Sequence, residues 1–531
     1  MLSQLHNLKK LEIDLPPNPD LTEYAMTELI ESISNLYNLD HLSIRTGNLL
    51  PACESGFRQL AETLNTCSLL ETLVLQFDNC EKKSKAFTKK NGALLREGLM
   101  QLKALHNLEL SFESSIALSD DFMIAVLEAI QHLPQLKNLK LDFSRSWGIT
   151  NFSFYSFTQA GNKLKNLQSF TLILDECSDI TNQGIKYFTT PFTKNQNLTD
   201  INFSFVAHTN VDDSTMVLIK RQFCNLRGLQ VFSLNISENK NVGVLGFLAI
   251  RDLLVNFGEL KKLDLNFART PLSEQGFAGI CGALSVQTKL THLGLDISSC
   301  IKMGETALVI LKDCLECLKQ IKHFKFGIQN WDEELSEKGV SFLTKGFSYL
   351  KSVKSFEVDF SYCPKVGDDA LKILKDCFEV MKGLHELVLN FEECIDITKD
   401  GWNYLKEGLL KLTRLKRVVF NFARCHKLSE QFLYYLKEVL QNNRDLDQVE
   451  LYANGCYQLG DKGMNSLKEG LFSLSKLSYC RIVYDDTYST MMEGEKFRSI
   501  LCRHMPQTTF NISVIHAPQS QVKFVNINSA F

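Results

Sequence analysis

Apolar and polar residues alternate in short bursts along this chain, and each burst is followed by apolar residues at helical spacing. The stretch LVLNFEECIDIT, residues 387–398, shows the pattern: Leu387, Leu389 and Phe391 are apolar, with Val388 and Asn390 between them. A period of two predicts a short strand with one buried face. Thr398 then stands where a helix N-cap belongs, and Trp402, Leu405 and Leu409 continue at helical spacing. Nearly the same phrase occurs as FTLILDECSDIT at 170–181 and as FEVDFSYCPKVG at 356–367.

The first residue of the apolar triplet recurs seventeen times, from Leu11, Leu42, Leu73 and Leu108 to Val449, Cys480 and Phe510. The interval is 31 residues in most cases, otherwise 30, 32 or, once, 35. Cap positions hold Thr22, Ser119, Thr150, Thr181 and Ser429, with Gly304, Gly367 and Gly460 in other rungs. Three residues later a small residue is frequent, as at Gly184, Gly401, Gly463, Ala307 and Ala370. One strand and one helix cannot bury their own apolar faces, whereas stacked copies can. The expectation is an α/β solenoid of about 17 units: a right-handed horseshoe with a parallel sheet on the concave face and helices on the convex face. Residues 1–515 would form this single solenoid and 516–531 a tail or capping strand.

The string Leu-x-x-Leu-x-Leu, then a polar or Cys position, then Ile-Thr and a helix resembles the leucine-rich-repeat superfamily. The likeness is to its ribonuclease-inhibitor-like class, in long Phe- and Asn-rich tandem arrays of the kind common in ciliates. It spans essentially the whole chain and implies the fold; it does not imply one function, because such repeats serve many roles. The apolar alternation runs one step further than the usual motif, so slightly longer strands are expected.

Seven residues after the triplet start the chain carries Cys80, Cys177, Cys300, Cys363, Cys394, Cys425 and Cys456; other rungs have Asn18, Ser115, Ser146, His208, Asn239, Thr270 and Trp331. A position that accepts Cys, Asn, Ser and Thr suits a small side chain bonded to turn backbone, half buried. Zinc would need four sulfurs at tetrahedral corners, but stacked rungs place Cys363 to Cys456 in a line at ~5 Å steps. Cys314 and Cys317 have CxxC spacing without a second ligand pair, on an apolar helical stretch. His292 and His323 share a strand position in successive rungs, so their rings should stack about 5 Å apart. No P-loop, GxSxG, HExxH or GxGxxG string occurs. Neither catalysis nor a metal or cofactor is expected.

Charge sharpens this picture only locally. The net charge of −3 gives no general case for nucleic acid or an anionic membrane. No apolar run reaches the roughly 18 residues of a membrane span, and the start lacks a signal-peptide core. The sixteen cysteines are therefore expected as thiols in an intracellular chain, cytoplasmic or cytoskeletal/ciliary. The four inter-apolar positions of the rungs hold sixteen acidic and seven basic residues, so the sheet's open face should be strongly negative. Its candidate partner-binding residues are Asp142, Asn235, Asn266, Asp296, Glu357, Asp359, Asn390, Glu392, Asn421 and Glu450. The one long interval adds a basic loop with Lys82, Lys83, Lys85, Lys89 and Lys90. The tail string QVKFVNIN (521–528) alternates like a strand, and the first rung begins without an evident cap, so upstream sequence or a neighbour is expected there.

Together these features point to a non-catalytic interaction scaffold, a subunit of a larger intracellular assembly that binds a basic protein segment. The alternatives are an inhibitor wrapping one basic enzyme, and a substrate-receptor or GTPase-regulator module.

Overall fold

The structure is a computed structural model and describes residues 4–15, 23–45, 54–79, 86–158, 163–331, 337–485 and 494–515. Among them, seventeen strands alternate with sixteen α-helices and every strand pairing is parallel, which makes the fold an α/β solenoid. The chain divides into two compact units, Met1–Leu290 and Thr291–Phe531. The first contains strands from Lys10–Asp14 to Lys262–Asn266, the second those from His292–Asp296 to Thr509–Ile515. Among the described residues no helix is long and apolar enough to cross a membrane.

Register follows the apolar triplets. Leu11 faces Leu42 in the first unit, and Leu387 faces Val418 in the second. Most strands have five residues, such as Glu386–Asn390, so Phe391 lies just beyond the strand. Its N–H still donates to Asn421 O at 2.8 Å, which carries the lateral ladder one residue further. Phe391 is fully buried and stacks between Phe360 (5.6 Å) and Phe422 (6.0 Å). Burying such a ring contributes roughly 1.5–3 kcal/mol.

From the strand Thr72–Gln76 to the strand Gln448–Ala453 the chain leaves each strand through one left-handed residue. Non-glycine side chains sit there in most rungs, for instance Ser114 (φ 56), Glu176 (φ 56) and Glu393 (φ 59), with Gly455 (φ 78) in another. That backbone costs roughly 1–2 kcal/mol per non-glycine residue. A lateral bond offsets it: Ser114 N–H donates to Ser144 O at 2.7 Å, and Glu393 N–H to Ala423 O at 2.9 Å.

Among the described residues, most of the caps read from the sequence do precede a helix. Thr150, Thr181 and Thr398 accept from the backbone N–H two residues on, at 3.2–3.3 Å, and Ser119 from Phe122 N. These caps are tied laterally, because Asp368 accepts from Thr398 N at 2.7 Å and Thr398 Oγ1 at 2.6 Å. Gly304 and Gly367 cap without a side chain, and Ser429 makes no cap bond through its hydroxyl. Gly460 is not a cap: Leu459 precedes the helix and Gly460 is its first residue, at φ 57. Thr22 and Asn18 lie outside the described residues, as do Cys80, Lys82, Lys83, Lys85 and the tail from 516. Lys89 and Lys90 prove not to be loop residues but open the helix Lys89–Leu99. The reason is local: Thr88 caps Asn91 N, and Asn91 Nδ2 donates to Ala86 O at 2.7 Å.

Neighbouring helices pack closely where residues are small. A Cβ on Gly408 would sit 2.8 Å from Lys375 Cα and 2.9 Å from the Phe378 ring. We therefore expect Gly408→Ala to lower the thermal midpoint despite alanine's higher helix propensity, by about 1–3 kcal/mol of overpacking. A midpoint at or above wild type in calorimetry would contradict that packing.

Candidate functional site

In most of the described rungs the ladder position makes one recurring contact, although Thr270 bonds Phe267 O of its own rung instead. Cys394 Sγ donates to Phe360 O of the preceding rung at 3.2 Å, and Cys363, Cys425 and Cys456 make the same bond to Ile328, Phe391 and Phe422 at 3.1–3.3 Å. Cys177 does so to Phe143 O at 2.9 Å. Ser115, Ser146 and Asn239 substitute hydroxyl or amide donors at 2.6 Å, and Trp331 uses its indole N–H at 3.2 Å. These residues are fully buried rather than half buried; Cys394 is 0% exposed. Burial pushes the Cys177 thiol up to about 12 and Cys394 well above the usual thiol range, leaving neutral donors in place of thiolates. Among the described residues no cysteine is in a disulfide and no group of three or more His, Cys, Asp or Glu could hold a metal. Of the CxxC pair, Cys314 is buried and Cys317 exposed. The His292 and His323 rings stack at 4.0 Å, and Thr291 Oγ1 is 2.8 Å from His292 Nδ1.

The open face of the sheet carries the proposed partner residues, and most of them are occupied at home. Asp142, Asn235, Asn266, Asp296, Asp359, Asn390 and Asn421 each accept, through Oδ1, the backbone N–H two residues on, at 2.9–3.1 Å. That bond turns the chain out of the strand toward the left-handed residue. Asp359, Asn390, Asn421 and Glu450 are buried, whereas Asp142, Asn235, Asn266 and Asp296 remain half-buried. Glu357 pairs with Lys325 at 2.8 Å, and Glu450 with Arg417 at 3.0 Å and Tyr452 OH at 2.9 Å. Glu392 accepts from Tyr362 OH at 3.1 Å and Asn421 Nδ2 at 3.3 Å. In the second unit, then, the face is largely self-satisfied, and Val388, Val419, Tyr452 and Val483 form an apolar cluster on it.

The first unit differs. Asp78, Glu113, Asp142 and Asp175 converge where its strands end. Asp78 accepts from Ser111 Oγ at 2.6 Å and Glu113 N at 2.9 Å; Asp175 accepts from Ser204 Oγ at 2.7 Å and Val206 N at 2.8 Å. The Asp78, Glu113 and Asp175 carboxyls are all raised, first by burial; repulsion from Asp142 adds to each, and Glu113 is also repelled by Asp78 and Asp175. Two cations stand near them: Lys140, which acts on Asp78 but pairs with Glu109 at 2.7 Å, and Arg145, 3.7 Å from Glu113 but engaged more closely by Glu176 at 3.0 Å. The sequence columns singled out Asp142 alone of this cluster as a partner residue. Asp78 and Glu113 stand two residues further along their rungs, and only the turn brings them alongside it.

The chain matches no protein-family model, and no curated protein matches it.

His208 breaks the ladder rule. It is 1% exposed, and neither ring nitrogen has a hydrogen-bond partner. Burial lowers its pKa from 6.5 to about 4. The unfolded chain therefore binds the extra proton between these values, and stability is lost as pH falls from about 6.5 through about 4. The loss is on the order of 3 kcal/mol at most. His208→Asn, which copies Asn239 of the next rung, is expected to stabilise the fold and flatten urea midpoints across that pH window. Unchanged pH dependence would show that the ring is not the cause. Cys394→Ser, which copies Ser115 and Ser146, should cost less than about 1.5 kcal/mol, while Cys394→Leu, adding volume and removing the donor, should cost more. Equal losses in urea titrations would refute the donor role.

Proposed function

We propose that the chain is a non-catalytic protein-interaction scaffold of the leucine-rich-repeat, ribonuclease-inhibitor-like type, whose open sheet face receives a basic segment of a protein partner within a larger assembly. The observation that supports this most is the carboxyl cluster of Asp78, Glu113, Asp142 and Asp175. Mutual repulsion there is relieved by any cation brought close, and a basic segment supplies several at once. The face's own cations are spent internally: Lys140 on Glu109 (2.7 Å), Lys262 on Asp264 (3.2 Å), Lys325 on Glu357 (2.8 Å) and Arg417 on Glu450 (3.0 Å). Asp200 and Asp296 make no ion pair among the described residues, which adds to the excess of negative charge.

This reading moves the site. The buried Asp359, Asn390 and Asn421 serve the turns, and the half-buried carboxylates of the first unit are the better contacts. Affinity should fall as pH drops and these raised carboxyls take up protons, and it should weaken with salt.

Native co-purification with quantitative mass spectrometry tests it. The double variant Glu113→Gln/Asp142→Asn is expected to recover the basic partner roughly three- to tenfold less well than wild type, two partly exposed charge contacts being removed. Equal recovery would place binding elsewhere. A single basic enzyme that loses activity on binding would favour the inhibitor over the scaffold.

A further inference from the structure

On the helix side of the first unit, two successive rungs depart from the rest. Their helices, Asn151–Tyr155 and Asn182–Thr189, have 5 and 8 residues, against 13 in Val244–Asn256 of the same unit. A groove there is lined by Thr150, Asn151, Phe152, Tyr155, Gln183 and Tyr187. Phe152 is 63% exposed and Tyr155 61%, unusual for rings on a helix surface. The Tyr155 and Tyr187 rings meet edge to face at 5.2 Å and 79°, and both line the groove together with Phe152.

The chain itself shows what such a ring takes. Tyr404 and Tyr435 stand six residues after their caps Thr398 and Ser429, as Tyr187 does after Thr181. Each is covered by lysines of the preceding rung: Lys372 and Lys375 lie 5.9 and 5.6 Å from the Tyr404 centroid, and Lys406 lies 4.6 Å from that of Tyr435. Those lysines occupy the fifth or eighth position after their caps. In the rung before Tyr187 these positions hold Tyr155 and Thr158. The covering cation is thus replaced by a further ring and a hydroxyl. Among the described residues no lysine or arginine lies over Phe152, Tyr155 or Tyr187. Lys186, on the same helix as Tyr187, is exposed and covers none of them.

We infer that this groove takes a lysine ammonium supplied by a protein partner, and that a methylated lysine fits it best. Ring faces attract cations through their quadrupoles. The lining contains no carboxylate to replace the hydration a bare ammonium would lose, and a methylated ammonium has less hydration to lose. This site is independent of the sheet face and of the scaffold reading.

Fluorescence anisotropy on the full chain tests the assignment. The probes are labelled Gly/Ser-flanked peptides carrying one lysine, one trimethyllysine, or the uncharged tert-butyl isostere of trimethyllysine. Trimethyllysine is expected to bind roughly tenfold more tightly than the isostere, the scale of a desolvated cation–π contact. Tyr155→Lys restores the internal lysine found beside Tyr404 and should abolish binding with its thermal melt unchanged, whereas Tyr155→Phe should bind within about twofold of wild type, since the ring face is kept. Equal binding of the isostere would overturn the cation assignment. So would no binding by any peptide, or full binding by Tyr155→Lys. Preferential capture of phosphatidylcholine vesicles would overturn the protein origin of the cation.

Discussion

In-register parallel pairing sets each side chain against its own equivalent about 4.8 Å away, one rung after another. The rest of this protein is a response to that arrangement. Where the column is apolar, like on like is favourable: Phe360, Phe391 and Phe422 stack in file. Where it is polar and neutral, the column can bond to itself, as the amides of Asn107 and Asn138 do. Where it is acidic, equivalents repel unless a cation is interleaved. Lys140 beside Glu109 and Lys325 beside Glu357 are such interleavings. At Asp78, Glu113 and Asp175 the interleaving is incomplete, and repulsion from Asp142 adds to the burial that raises these carboxyls.

The same geometry makes neighbouring rungs complete one another. A strand-end carbonyl receives its second donor from the ladder residue of the next rung, a left-handed residue leans on the next rung's backbone, and a helix cap is held by the carboxylate of the rung before. Stability in such an array is close to a sum of rung terms and nearest-neighbour terms. The donor, not its element, is what the ladder selects. Sulfur, oxygen, amide nitrogen and indole nitrogen all serve, which explains why cysteine, serine, asparagine and tryptophan replace one another at this position.

Much of this was legible in the sequence because period and position carry it. The triplets fix strand, register and buried face, since a one-residue slip would turn every apolar side chain outward. The caps at Thr150, Thr181 and Thr398 were readable for a similar reason, each being a local bond between residues two apart. Gly460 and the pair Lys89 and Lys90 were misread because their surroundings decided them: a displaced helix start in one case, the Thr88 cap in the other. The open face was harder. Asp and Asn two residues before a turn look alike whether they serve a partner or the chain's own backbone, and only the bonds from Ser361 N and Ala423 N separate the two. The aromatic groove gave no periodic signal, because it is the absence of lysines from positions five and eight that makes it.

Most described contacts between rungs link one position to the same position, or nearly the same, about 31 residues on. A change of one residue in length therefore disturbs the columns on both sides, but the loss or doubling of a whole rung rejoins each column to itself. Phe would meet Phe, each ladder donor would find a carbonyl, and each cap a carboxylate or glycine. The gene for such a chain can lengthen or shorten by unequal exchange between its own repeats, and the product changes its reach while keeping its chemistry. What cannot be exchanged so freely is a feature written across two unlike rungs, such as the meeting of Tyr155 and Tyr187. Such pairs mark where an array of interchangeable parts has acquired an address.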